Sequence, residues 1–193
     1  MGDLAALTPL AIAVLALLAE RQMHAYEMYQ VLLQRRNDRL VKVKPGSLYH
    51  TVERLTGQEL VRATGTERAG NRPERTTYEI TTAGRAALEE RVQAGIESYE
   101  YEYPLFPVAL SEAHNLEVMD AAERFRRRLC DLDEELAEVE TTIADVTERH
   151  VPEPFWLAAG YNRAILAAER DWLTTLLQRI ESKDLSWQHR KNK

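Results

Sequence analysis

The apolar positions of this chain fall into helical stripes over most of its length and into alternation over one short region. Leu10, Ile12, Val14, Leu15, Leu17 and Leu18 crowd more than one face of a segment that opens on Thr8 and Pro9. A threonine oxygen can accept from a first-turn amide, and proline at the first helical position gives up no bond, so a helix is predicted from residue 9 to about residue 20. Apolar nearly all round, it is expected centrally or at a subunit contact, with Leu10 and Val14 as contact residues. A second helix is predicted over 25–36, with Ala25, Met28 or Tyr29, and Leu32 facing inward. Arg35, Arg36 and Arg39 follow near its end, where cations suit the helix dipole. After a short extended piece at 40–43, Pro45 opens a third helix in which Leu48, Val52 and Leu55 recur at i, i+4 and i+7. Ser47, His50, Thr51, Arg54 and Gln58 lie on its other side, and each can donate a hydrogen bond without carrying a negative charge. Lys44, at the cap position, is not a capping residue, which leaves that start to Ser47 or to an anion such as a phosphate. Polar outer faces are common on surface helices, so this one acquires meaning from its neighbours.

Residues 60–64 and 76–81 read as two strands of a hairpin, the second rich in Thr, Tyr and Ile. The connecting tip, GTERAGNRPER, carries Arg68, Asn71, Arg72 and Arg75, which can neutralise phosphates or enter a minor groove. Solubility is the plainer use of a basic loop, and Glu67 and Glu74 dilute its charge. Three helices followed by a hairpin, with a short strand before the third helix, is the order of a winged helix-turn-helix. In such a motif the second helix of the pair, here the third of the chain, enters the major groove.

A fourth helix from about Ala83 carries Leu88, Val92, Ile96 and Tyr99 and ends before Pro104. From Val118 the apolar positions Ala122, Phe125, Leu129, Leu132, Leu136, Val139, Ile143 and Val146 alternate steps of three and four. That seam is of coiled-coil type along a helix of roughly 45 Å. Pro152 and Pro154 turn the chain into a last helix from Phe155 to about Ile180. The seam can pack against this last helix, against a partner subunit, or against both. Leu129, Leu132, Leu136, Val139, Ile143 and Trp172 are its expected dimerisation residues. The fold class is therefore mainly α: a winged-helix DNA-binding domain at 1–84, a helical dimerisation domain at 85–182 that could also take an effector, and a loose polar tail at 183–193.

Charge sharpens this division. The net charge of −6 is unevenly spread, since residues 1–85 hold 12 Lys+Arg against 9 Asp+Glu and the remainder holds 13 against 22. The basic half is the one that would meet a polyanion. One cysteine, Cys130, permits no intrachain disulfide and fits a reducing compartment, so the cytoplasm is expected. The apolar run at 9–19 is too short to cross a bilayer and lacks a basic start, so neither signal peptide nor membrane span is expected.

Several segments resemble the PadR family of bacterial transcriptional regulators. HAYEMYQ at His24–Gln30 is similar to the family's second helix, PGSLYHTVERL at Pro45–Leu55 to its recognition helix, and YEITTAGR at Tyr78–Arg85 to the strand entering its fourth helix. From FPVAL at Phe106–Leu110 to ERDWLTTLL at Glu169–Leu177, the second half resembles the C-terminal helical domain of longer members. Ala25 stands where the family usually has Gly, and His50 where many members have Pro, so the preferred operator does not transfer. The resemblance implies a homodimer on a pseudo-palindromic double-stranded operator, usually a repressor released by a small molecule. Ser47, His50, Thr51 and Arg54 would then read bases, while Lys42, Lys44, Tyr49 and the wing arginines hold phosphates.

The chain contains no Gly-rich phosphate loop, HExxH, paired cysteines or GxSxG turn, so no enzyme activity and no cofactor are expected. No two of its histidines lie three or four apart on a helix, and no metal site is expected. Tyr99, Phe106 and Trp156 are candidates to line an apolar effector pocket, although such aromatics more often form ordinary core. The rival reading is a winged-helix protein-interaction or scaffolding module that binds no DNA.

Overall fold

Thr8 starts the first helix, α1 (Pro9–Glu20), as its chemistry predicts: the hydroxyl oxygen accepts from the Ala11 amide at 3.3 Å. The structure, a computed structural model, describes residues 7–67, 75–99 and 104–187. After α1 come a two-residue strand β1 (Met23–His24), α2 (Ala25–Gln34), a 3-10 turn at Asn37–Arg39 and α3 (Pro45–Gly57). Strands β2 (Val61–Glu67) and β3 (Arg75–Ile80) follow, and α4 (Thr82–Glu97) leaves the second of them. The antiparallel sheet has the order β1-β3-β2, with Met23 opposite Tyr78 and Val61 opposite Ile80. Its register shifts between Ala63 and Gly65, an irregularity of the kind that bends and twists a hairpin.

The extended piece expected at 40–43 takes no part in this sheet. Arg36 adopts φ 58° and the chain turns through Asn37–Arg39 instead. The third strand lies before α2, where Met23 and His24 pair with β3. The subunit contact expected of Leu10 and Val14 is also overturned. Both are buried in the core of their own unit, with Leu15, Leu18, Met28, Leu32, Leu48 and Leu55. An all-apolar helix is central here because α2, α3, α4 and β3 all pack on α1.

Thr81 joins the hairpin to α4. Its hydroxyl donates to the Glu59 carbonyl at 2.8 Å, and the same oxygen accepts from the Gly84 amide at 3.0 Å. Gly84 sits so close to the start of β2 that a Cβ there would stand 2.1 Å from the Leu60 carbonyl oxygen. With Gly84 and Ala87 buried, α4 is part of the first unit, which extends through Tyr101. The domain boundary drawn after residue 84 accordingly moves beyond this helix.

The second unit, described by itself, begins at Glu102 and contains α5 (Leu105–Ser111), a 3-10 turn at Ala113–Asn115, α6 (Val118–Glu148), a turn at Glu153–Phe155 and α7 (Leu157–Glu181). The long helices run antiparallel, since Arg126 pairs with Glu181 at 2.7 Å and Asp133 with Arg170 at 2.6 Å, the partner number falling as α6 advances. Phe125 and Leu132 of α6 meet Leu173, Leu177 and Ile180 of α7, with Leu129 half-buried beside them. The first part of the α6 seam is thus filled by the chain's own last helix. Farther along, Val139 is buried and Leu136 and Ile143 are half-buried, whereas Trp172 remains exposed. No helix among the described residues is long and apolar enough to cross a membrane.

Candidate nucleic-acid interface

Two short helices hold the site. α2 and α3 pack on each other and on α1, and Arg35 at the end of α2 donates to both Glu20 carboxylate oxygens at 2.5 and 2.8 Å. That hydrogen-bonded pair fixes the end of α2 against the end of α1 and holds the Glu20 carboxyl below its usual pKa. Leu48, Val52 and Leu55 anchor α3 from beneath, as their spacing predicts. Its outer side presents Gly46, Ser47, Tyr49, His50, Glu53 and Arg54 to solvent.

This outer side differs from the expected one in two residues. Thr51 is buried, and its hydroxyl donates to the Ser47 carbonyl at 2.8 Å, so it does not belong with the base readers. Glu53 was not among the site residues read from sequence, yet it is exposed and stands 3.5 Å from the His50 imidazole. The exposed arc is rotated away from Thr51 toward His50 and Glu53. A helical count from Ser47 finds the polar positions but not which edge dips into the core; the burial of Leu48, Val52 and Leu55 decides that. Arg54 lies at the other edge, where its Nη2 donates to the Thr8 hydroxyl at 3.3 Å.

Electrostatics favour an anion at the start of α3. Lys44 occupies the cap position in extended conformation, and no side chain among the described residues caps the helix. Ser47 does not fill that role. The first-turn amides and the positive end of the dipole are left for an outside acceptor. Lys42 and Lys44 are exposed and neither forms an ion pair with a described residue. On the hairpin, Arg62 pairs with Glu79, which also accepts from Gln22 at 2.6 Å, so Arg62 is already neutralised. The expected wing residues Arg68, Asn71 and Arg72 lie outside the described residues, and Arg75 opens β3 opposite Glu67.

The three candidate pocket aromatics are not gathered at one site. Tyr99 belongs to the first unit and is 90 % exposed. Trp156 closes the turn before α7, its indole N–H donating to the Val151 carbonyl at 3.1 Å. Phe106 does line a cavity, of about 270 Å³, with Leu110, Leu116, Phe125, Arg124 and Arg128. The Arg128 guanidinium lies 3.6 Å from the Phe106 ring centre and its Nε donates to Glu169 at 2.5 Å. Among the described residues no group of three or more His, Cys, Asp and Glu could hold a metal ion.

A helix pair with an exposed second helix, followed by a β-hairpin on a shared core, defines a winged helix-turn-helix of the DNA-binding type. Residues 14–90 match the Transcriptional regulator PadR-like family, and the chain carries a PadR-like domain over that range. The fold extends to PadR structures over most of the chain. Bacillus subtilis PadR in complex with operator DNA is 16 % identical with a TM-score of 0.77, covering 90 % of this chain and 99 % of that one. The same Bacillus subtilis protein in complex with p-coumaric acid is 15 % identical with a TM-score of 0.72, covering 90 % and 96 %. A PadR-like transcriptional regulator of Bacillus cereus is 15 % identical with a TM-score of 0.68, covering 90 % and 99 %. No curated protein sequence matches the chain.

Proposed function

We propose that this PadR-like protein is a sequence-specific DNA-binding repressor that acts as a homodimer and loses its operator when a small apolar ligand binds. The observation that carries the reading is α3: an exposed row of Ser47, His50 and Arg54 beginning at an uncapped helix end flanked by unpaired Lys42 and Lys44. Phosphates would sit at Lys42, Lys44, Tyr49 and the wing arginines, setting position. Ser47, His50 and Arg54 would reach base edges, and Glu53 could accept from a cytosine amino group. Two subunits would place two copies of α3 about one DNA turn, roughly 34 Å, apart on a pseudo-palindrome. The cavity beside Phe106 is the better seat for an effector than Tyr99 or Trp156, and the p-coumaric acid complex of Bacillus subtilis PadR supports a ligand of that size class.

A gel shift with the DNA upstream of the protein's own gene tests the reading. Binding that survives competitor DNA and falls steeply with added salt is the expected result. Absence of binding at low salt would favour the protein-interaction module instead.

A further inference from the structure

α7 has two apolar sides, and α6 covers only one. Leu173, Leu177 and Ile180 are buried against the second core. On the other side Leu157, Tyr161, Ile165 and Trp172 are 59, 72, 50 and 46 % exposed. At 100° per residue these four, with the exposed Ala164 and Ala168, fall within one stripe about 100° wide. The stripe contains no charged residue over its sixteen positions, 157–172. The outer side of α6, by contrast, carries Glu123, Arg127, Asp131, Glu134 and Glu138, as a helix facing water should. The exposed side chains of the α7 stripe amount to on the order of 500 Å² of apolar surface, a size at which a surface patch is often functional.

The order of sizes along the stripe indicates what covers it. About a centre between Ala164 and Ile165, Leu157 mirrors Trp172, Tyr161 mirrors Ala168, and Ala164 mirrors Ile165. Two of the three pairs set a large side chain against a small one, which is what close packing of a helix on its own antiparallel copy requires. We propose that this stripe is the contact between two copies of the chain, α7 lying antiparallel on the α7 of its partner about a two-fold axis beside Ala164 and Ile165. The contact is isologous, each patch meeting itself, so a single surface closes the dimer without continuing into a filament. The stripe supplies more than half of the about 800 Å² per partner that a standard interface buries. This inference rests on the homodimeric reading and moves its interface from the α6 seam, whose Leu129 and Leu132 are used within the chain, to the outer side of α7.

Single cysteines introduced in a Cys130→Ser background test both the surface and the register. Under mild oxidation, Ala164→Cys is expected to give a disulfide-linked dimer. Leu157→Cys and Trp172→Cys are each expected to cross-link poorly alone and efficiently when mixed. Sedimentation of the untreated protein is measured alongside, with Tyr161→Glu as a second variant expected to sediment as a monomer with an unchanged circular dichroism spectrum. A sedimenting dimer that gives no cross-link at 164, or in which Leu157→Cys cross-links alone, overturns this interface and leaves the homodimeric reading intact. A monomer at all concentrations overturns the homodimeric reading and the interface with it.

Discussion

On α3, two neighbouring polar residues with similar sequence spacing have different physical positions. Thr51 is buried with its hydroxyl committed to Ser47, whereas Arg54 is exposed and holds only the Thr8 hydroxyl among the described side chains. Thr51→Val should therefore leave base preference unchanged, while Arg54→Ala should cost about 1–3 kcal/mol of binding and relax preference at one base position. Binding measured on an operator set with single base changes checks both; a loss with Arg54→Ala that is uniform over all sequences would make it a phosphate contact. Lys44, exposed beside the uncapped helix end, belongs to the sequence-independent part of binding. Lys44→Ala should weaken all sequences alike and reduce the slope of log affinity against log salt by about one. An unchanged slope would remove Lys44 from the interface. The sequence made Ser47, His50 and Arg54 legible because each is polar at helical spacing. It did not reveal Glu53, whose exposure follows from the tilt of α3 on its core, or Thr51, whose hydroxyl finds a partner within the helix.

At the scale of elements, the hairpin and the helices were legible because their periods of 2 and 3.6 run over several residues. β1 was not, since Met23 and His24 are too few to show alternation and their pairing depends on β3, which lies more than fifty residues away. The junction of β2 with α4 rests on Gly84, where any side chain would drive into the Leu60 carbonyl and the Ile80 side chain. Gly84→Ala should destabilise the first unit by about 1–3 kcal/mol, as overpacking commonly does, read as a lower urea midpoint. The α1–α2 junction rests on Glu20 and Arg35. The hydrogen bond from Arg35 lowers the Glu20 pKa below its ordinary 4.5, so the folded state holds its proton less tightly than the unfolded chain. That contribution is full above the unfolded value and fades as pH falls through the folded one. Because both side chains are about half exposed, it amounts to about 0.2–1 kcal/mol. Glu20→Gln should remove it, so that the stability gap between variant and parent closes on acidification below about pH 4.5; a gap that persists in acid would assign the effect to packing.

For the whole molecule, the uneven charge separates a basic first half from an acidic second half, and the two compact units follow that division with the boundary beyond α4. The long a/d pattern announced two packed helices but could not say which partner each face had. Leu132 faces the chain's own α7, while Tyr161 and Ile165 face outward. A helix apolar on both sides gives a weak periodic signal, so the outer stripe of α7 was hidden among core residues. The central claim is that α3 reads DNA and that two copies read it together. Selection of bound DNA from a random pool tests this most directly. The account predicts enrichment of two inverted half-sites with centres about one helical turn, roughly 34 Å, apart. A pool that shows no enrichment at low salt, or a single half-site without its inverted repeat, would contradict it.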